Sequence, residues 1–276
     1  MTINLMNPMV DTWPLMGSPG PMLCIMGTYL IFVLKAGPKM MEKRPAFELN
    51  KVMIIYNACQ VIFSTWLNCD IQNSNNPKLK SIIRTSNSTQ ILTNYILIFY
   101  ILIHQQVSRA AWWYFFSKLT ELLDTVFFVL RKKQSQVTFL HVYHHTIIAI
   151  FSWCYLKLLP GEQGVILGFL NSVVHIVMYS YYMIAALGPQ YKKYLWWKKY
   201  MTWIQLIQFG LMFFYLMVVL VTDCRTPRAL TFFFTTNVVI FIYLFSDFYR
   251  KASGRRIRMK RWNVKIKEHL SRNGRR

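Results

Sequence analysis

Three histidines, His141, His144 and His145, stand at a spacing of i, i+3 and i+4 in the otherwise apolar stretch Phe139-Leu-His-Val-Tyr-His-His-Thr146. On an α-helix those offsets put all three imidazoles on one face. A neutral imidazole can relay protons near neutral pH, attack a thioester carbonyl, or ligate a metal. Further chemistry-bearing residues stand in other apolar runs: Lys118, Glu121 and Asp124, then Asn171 and His175, then Gln205 and Gln208. Ionisable groups inside membrane-length apolar runs are costly to bury and mark working sites.

The elements that must position them are helices crossing a bilayer. The chain has 276 residues, 54% hydrophobic and 16% aromatic. Its apolar residues lie in long blocks, at about 15–36, 52–67, 91–107, 112–130, 138–159, 165–187, 200–221 and 230–249. Most approach the roughly 20 residues that span about 30 Å of hydrocarbon. The expectation is an all-α polytopic membrane protein, with residues 1–249 as its transmembrane domain and 250–276 as a basic cytosolic tail. No basic n-region or cleavage site marks a removable signal peptide.

The net charge of +22 comes from Lys and Arg between the blocks. Keeping every basic loop cytosolic places the N-terminus in the lumen and the C-terminus in the cytosol, and it fits seven spans. An eighth, through 91–107, would put the loop Arg131-Lys132-Lys133 on the wrong side. That block is also the weakest, with Thr93, Asn94, His104, Gln105 and Gln106 near its ends, so it reads as an extra lumenal re-entrant or interfacial helix. The sequon Asn87-Ser88-Thr89 just before it suits a lumenal loop, while Lys78, Lys80 and Arg84 argue the other way. Without a folded soluble module to present the charge, nucleic acid is not the expected partner. Phosphate-rich ligands at the cytosolic face fit the charge better.

Helical rise then sets depths. Counted from the nearest cytosolic end, Asp124 lies roughly 10 Å inside, Glu121 roughly 15 Å and His144 roughly 9 Å. Gln205 and Gln208 fall at about 8 and 12 Å, His175 at roughly 18 Å, and Asn171 one turn deeper. Each group alone has an ordinary structural use: a buried Gln as interhelical glue, Lys118–Glu121 as a local ion pair, a lone His as a satisfied core residue. Their gathering in the cytosolic half of one bundle points to a site.

Two chemistries remain open at that point. Membrane di-iron oxygenases also carry HxxHH boxes but need about eight histidines, and this chain has six. A mononuclear metal site completed by Glu121 and Asp124 is the alternative; a proton-relay transporter is a further one. The other chemistry is imidazole as base or nucleophile, with a buried carboxylate to orient it. Cys154 stands in an apolar run with no base beside it and reads as packing. Cys69 and Cys224, both on the expected lumenal side, could pair there.

Four ordered motifs carry a resemblance: Lys118-Leu-Thr-Glu121-Leu-Leu-Asp124-Thr125, His141-Val-Tyr-His144-His145, Asn171-Ser-Val-Val-His175-Ile-Val-Met178-Tyr179-Ser-Tyr181-Tyr182, and Thr202-Trp-Ile-Gln205-Leu-Ile-Gln208. With Arg44-Pro45 and Tyr56-Asn57, and over nearly the whole chain, the sequence resembles the very-long-chain fatty acid elongases, the condensing enzymes of the endoplasmic reticulum. The resemblance implies seven transmembrane helices, six of them closing a bundle around an acyl tunnel with the first packed outside. It implies condensation of a long-chain acyl-CoA with malonyl-CoA to a 3-ketoacyl-CoA, with loss of CO2 and CoA. By motif position His144 would carry the acyl group, and His175 would assist malonyl decarboxylation or stabilise the enolate. His141 and His145 would orient it, and Asp124 would hold an imidazole, a role known from catalytic triads. Glu121 and Lys118 belong to the same catalytic set. Asn171, Gln205 and Gln208 would donate to carbonyl or oxyanion oxygens. Arg131, Lys132, Lys133, Lys198 and Lys199 would meet the CoA phosphates, with Tyr182 in the same binding group.

The implied partners are the two CoA substrates, membrane lipid, and the ketoacyl-CoA reductase, dehydratase and enoyl reductase of the cycle, with a homodimer as a further arrangement. No permanently bound cofactor or metal is implied. The sequence departs from the family pattern twice: the stretch at about 80–107 stands as an insertion, and the C-terminus Asn273-Gly-Arg-Arg276 has no dilysine retrieval signal.

Overall fold

The computed structural model describes residues 8–74, 89–158, 164–222 and 228–273. Every element among them is helical. Seven long helices follow one another: α1 (Pro19–Met41), α2 (Asn50–Ser74), α3 (Thr89–Leu130), α4 (Phe139–Leu158), α5 (Val165–Ala186), α6 (Met201–Val221) and α7 (Arg228–Asn273). Among the described residues, five stretches are long and apolar enough to cross a membrane: Pro19–Met41, Asn50–Gln72, Val165–Ala186, Lys193–Val221 and Arg228–Lys251. This is a multi-pass membrane protein. α3 and α4, which carry the charges and histidines of the motifs, are not among these five.

The chain folds as two compact units, Met1–Lys198 and Lys199–Arg276. In the first, α1 packs along α3 and α4, while α2 packs on α5 and α3. The seam is written at heptad spacing: Phe115, Leu122 and Val129 on α3 meet Val142, Ala149 and Leu156 on α4, with Met22, Met26, Tyr29 and Val33 from α1 closing it. Spacings of seven keep one stripe facing a neighbouring helix. In the second unit α6 packs on α7 through Phe209, which lies 5.4 Å from Phe241 and 5.1 Å from Phe245 between ring centroids.

Local sequence accounts for the interruptions. α1 begins at Pro19, where a missing N–H costs nothing, and not at residue 15. Leu15 instead sits at φ 67°, its carbonyl accepting from Trp153 Nε1 at 2.8 Å. Trp112 Nε1 donates to the Pro14 carbonyl at 3.1 Å, and Lys157 Nζ to the Met16 carbonyl at 2.9 Å. Lys157 also pairs with Asp11, so the segment before α1 is tied to the α3–α4 pair. Within α1 a π-turn occupies Phe32–Ala36, just ahead of Gly37-Pro38. Pro38 has no N–H and crowds the preceding turn, and a π-turn absorbs that.

α3 ends at Leu130 in a Schellman motif: Lys133 N–H donates to Phe128 O at 2.8 Å and Lys132 N–H to Val129 O at 3.0 Å. Lys132 takes the left-handed position, φ 53°, that usually falls to Gly. Thr138 then caps α4, its Oγ1 accepting from His141 N–H at 3.2 Å.

One expectation changes. The block 91–107 is not a separate re-entrant helix; it is the first part of α3, which runs unbroken for 42 residues. Its run of helix formers holds no Pro or Gly to break it before Trp112. The basic residues after 250 continue the α7 helix as far as Asn273. The sequon at Asn87, and Cys224 with any pairing to Cys69, lie outside the described residues.

Gly37 marks the tightest approach of α1. A Cβ there would lie 2.7 Å from Val129 Cγ1 and 2.8 Å from Phe32 O, whereas one at Gly27 would meet nothing within 4 Å. Gly37→Ala is expected to destabilise the protein by about 1–3 kcal/mol through overpacking. Gly27→Ala is expected to be neutral or to stabilise by roughly 0.5–1 kcal/mol. Unfolding midpoints in detergent check the pair, and an equal response of both would contradict the close approach.

Candidate active site

α3 and α5 run parallel, and their polar residues pair in three steps about one helical turn apart. At the first, Asn171 Oδ1 accepts from Lys118 Nζ at 2.7 Å and from Tyr114 OH at 3.0 Å. Lys118 Nζ also donates to Glu121 Oε1 at 2.6 Å and lies 4.6 Å from the Tyr114 ring centre. At the second, Glu121 Oε1 stands 3.0 Å from His175 Nδ1, at ion-pair distance but off the line of a good hydrogen bond. At the third, Tyr179 OH donates to Asp124 Oδ2 at 2.6 Å. Lys118, Glu121, Asn171 and His175 are all buried.

The spacing produces this directly. Tyr114, Lys118, Glu121 and Thr125 follow i, i+4, i+7, i+11 on α3, and Asn171, His175 and Tyr179 follow i, i+4, i+8 on α5. Each set is one helix face. α2 supports the layer from a third side. Gln60 Nε2 donates to Thr120 Oγ1 at 3.1 Å and Tyr56 OH to the Thr120 carbonyl at 3.3 Å. The Tyr56 ring lies edge-on to Phe127 and to Tyr179, at 5.1 and 6.0 Å.

The histidine box lies on α4, which packs against α3. His141 and His145 are 4.4 Å apart between ring centroids, and His144 and His145 are 5.5 Å apart. His145 is buried, and His141 and His144 are half-buried. His141 Nε2 lies 3.0 Å from Thr125 Oγ1, which in turn lies 2.8 Å from the Tyr29 hydroxyl of α1. Among the described residues, no group of three or more His, Cys, Asp or Glu side chains converges in a way that could hold a metal ion.

The remaining candidates are distributed as follows. Asp124, expected to hold an imidazole, accepts from the Tyr179 hydroxyl, and Glu121 is the carboxylate that faces the His175 imidazole. The reason is helical phase: His175 and Tyr179 are one turn apart, as are Glu121 and Asp124, so each acid meets the residue at its own level. Arg131 Nη1 lies 2.8 Å from Met53 Sδ and its Nη2 3.3 Å from Asn50 Oδ1, while Lys132 Nζ donates to Glu42 O at 3.2 Å. Arg131 is thereby engaged with the first turn of α2 and Lys132 with the α1–α2 connection. Lys133 and Lys198 are exposed. Tyr182 is partly exposed, its ring 6.0 Å from Tyr179. Gln205 and Gln208 lie on α6 in the second unit, where Gln208 is buried with Nε2 3.7 Å from Met212 Sδ. Lys199 opens that unit, and its side chain lies outside the described residues.

Tyr29, Tyr56 and Tyr114 were not among the expected site residues. Tyr114 carries a sequence signal, standing four residues before Lys118 on one helix face. Tyr29 carries none, since only the packing of α1 brings it to Thr125.

Residues 14–260 match the GNS1/SUR4 (ELO) family. The chain is 41% identical over 274 residues to very long chain fatty acid elongase 7 of Drosophila melanogaster, covering 97% of this chain and 79% of that protein. It is 40% identical over 285 residues to very long chain fatty acid elongase 7 of Rattus norvegicus, covering 95% and 92%. To very long chain fatty acid elongase 4 of Homo sapiens it is 40% identical over 250 residues, covering 90% and 76%. The chain therefore belongs to the very-long-chain fatty acid elongase family.

The Lys118–Glu121 pair tests the energetics of this cluster. Lys118→Met leaves the buried Glu121 carboxylate without its ammonium partner. It is expected to destabilise the protein by about 3–5 kcal/mol. Adding Glu121→Gln removes the orphaned charge and is expected to recover part of the loss. Denaturant unfolding in micelles reads both, and a double variant as unstable as the sum of the singles would show that the two groups do not act as a pair.

Proposed function

We propose that this protein condenses a long-chain acyl-CoA with malonyl-CoA to a 3-ketoacyl-CoA, through an acyl group carried on His144. Membership of the elongase family and the gathering of Lys118, Glu121, Asn171 and His175 beside the helix that bears the histidine box support this reading. The observation that carries it is the His175–Glu121 contact between α5 and α3. It gives an imidazole outside the box a carboxylate of its own, as a second reacting group requires.

The chemistry balances in two steps. An imidazole nitrogen of His144 attacks the acyl-CoA carbonyl, the C–S bond breaks, and CoA leaves as thiolate to be protonated. Malonyl-CoA then loses CO2, and the electron pair of the broken C–C bond passes into a thioester enolate. The enolate carbon attacks the acyl-imidazole carbonyl. A C–C bond forms, the C–N bond breaks, and the imidazole returns. His175, held by Glu121, is the group suited to stabilise the enolate oxygen. Asn171 has its Oδ1 occupied by Lys118 and Tyr114, so its Nδ2 amide is the end that would donate to a carbonyl or oxyanion. Fixed donors of this kind stabilise developing charge without reorganisation. His141 and His145 flank the nucleophile, and Gln205 and Gln208 would supply further donors.

The same reading places the seven helices as a bundle, six of them around an acyl tunnel, in the endoplasmic reticulum membrane. The N-terminus is lumenal and the C-terminus cytosolic. Buried alkyl chain contributes about 0.8 kcal/mol per methylene, which suits a long apolar substrate. The CoA phosphates would meet Lys133, Lys198 and Lys199, with Arg131, Lys132 and Tyr182 nearby in the binding group. The product must pass to a ketoreductase, a dehydratase and an enoyl reductase.

The test is an acyl-CoA panel with labelled malonyl-CoA in membranes holding the full chain. The wild type is expected to form labelled 3-ketoacyl-CoA and His144→Ala to form none. With acyl-CoA alone, the wild type should release CoA in a single burst and gain an acyl adduct on the peptide containing His144. Normal condensation by His144→Ala would exclude the assigned nucleophile. Oxygen-dependent product with stoichiometric iron would favour metal chemistry instead.

A further inference from the structure

The histidine box has one connection that the reaction above does not use. Thr125 Oγ1 sits between His141 Nε2 at 3.0 Å and the Tyr29 hydroxyl at 2.8 Å. Thr125 is fully buried and Tyr29 nearly so. Tyr29 belongs to α1, which otherwise meets α3 and α4 through apolar side chains of the seam.

Hydrogen counting fixes the direction of this chain. Its two hydrogen bonds must take two buried hydroxyl protons, while the imidazole proton can sit on either nitrogen of the half-buried His141 ring, and a buried hydroxyl donor without an acceptor is costly. If His141 Nε2–H donated to Thr125 and Thr125 donated to Tyr29, the phenolic proton would have no acceptor among the described residues. If Nε2–H and Tyr29 both donated to Thr125, the threonine proton would be stranded. One arrangement gives every hydroxyl proton a partner: Tyr29 donates to Thr125 Oγ1, and Thr125 donates to His141 Nε2. His141 then accepts at Nε2 and carries its hydrogen at Nδ1.

We propose that Tyr29 is a positioning residue of the site: acting through Thr125, it holds His141 as the Nδ1–H tautomer. The His141 ring is tilted against Phe128, at 5.1 Å, and against His145, at 4.4 Å. His141 therefore presents a donor from Nδ1 beside the nucleophile. This rests on the reading of the box as the reacting group. It makes α1 a contributor to the site through a single hydroxyl.

The test uses the full chain in lipid nanodiscs. Tyr29→Phe removes only the phenolic oxygen and Thr125→Val only the relay. Each is expected to lower kcat for condensation about threefold to tenfold, the worth of one hydrogen bond, with KM unchanged. Tyr29→Phe and Thr125→Val together should lose no more than either alone. Met22→Ala, which loosens the same helix two turns away, should lower the unfolding midpoint and leave kcat per folded molecule unchanged. Imidazole nitrogen-15 shifts, with the His141 signals assigned by difference from His141→Asn, should show protonated Nδ1 in the wild type. They should show the Nε2–H form or a mixture in Tyr29→Phe. Unchanged His141 shifts in Tyr29→Phe would overturn the proposal, as would a kcat loss matched by Met22→Ala. If the wild type fails to condense at all, the proposed function falls, and the nitrogen shifts still decide the role of Tyr29.

Discussion

The buried ion pair of Lys118 with Glu121 is the constraint to which the rest of the first unit conforms. A charge removed from water inside an apolar bundle is tolerable only with a close partner and with its remaining hydrogen-bonding capacity filled. Lys118 has an acid one turn away and still needs an acceptor, which Asn171 provides from α5. That demand fixes the register of α5 against α3. Sliding one helix by a residue would rotate Asn171 away from the ammonium, and His175 and Tyr179 away from Glu121 and Asp124. Apolar seams alone would accept several registers at similar energy, whereas this ladder accepts one.

The same ladder explains which parts of the site can be read in the sequence. The box on α4 and the polar spacing on α3 and α5 follow helical periodicity, so the residues that share a face are visible from residue types alone. Which rung meets which is not. The depth count placed Asp124 level with His144 because it measured distance from the helix ends. Pairing across helices depends on rotation as well as depth, and rotation put a tyrosine opposite Asp124. Tyrosines are the other blind spot. In a chain this rich in aromatic residues, Tyr29, Tyr56 and Tyr114 read as apolar bulk, yet each places its hydroxyl on a threonine, a carbonyl or an amide. A phenol can lie along an apolar face and still satisfy a buried polar group with its tip.

Helix ends and interruptions have a local mechanism at Pro19, Thr138 and Pro38, although the apolar pattern alone set the start of the first helix at about residue 15 and its end at about 36. They were not legible where tertiary contacts decide. Lys132 stands in a left-handed position that its own chemistry does not favour. The Phe47 N–H that satisfies the Leu130 carbonyl at 3.1 Å comes from a loop more than eighty residues earlier. The unbroken α3 is a related case. Topological reasoning from charge separated 91–107 from 112–130, but no residue between them breaks a helix, and local propensity prevailed over an argument about sidedness.

Small residues complete the account of how α1 reaches the site. Ala149 is fully buried in the α4 stripe, and Gly37 sits where any side chain would collide with Val129. Both let the backbone of α1 come close, and close approach is what allows a side chain to cross an interface rather than lie along it. A larger residue at either position would hold α1 off the α3–α4 pair, and a hydrogen bond of 2.8 Å from Tyr29 to Thr125 leaves little room for such a shift. The π-turn of Phe32–Ala36 lies between Tyr29 and Gly37, and Val33 and Gly37 are both buried. α1 thus owes its hydrogen bond with Thr125 to the smallest residues in its interface.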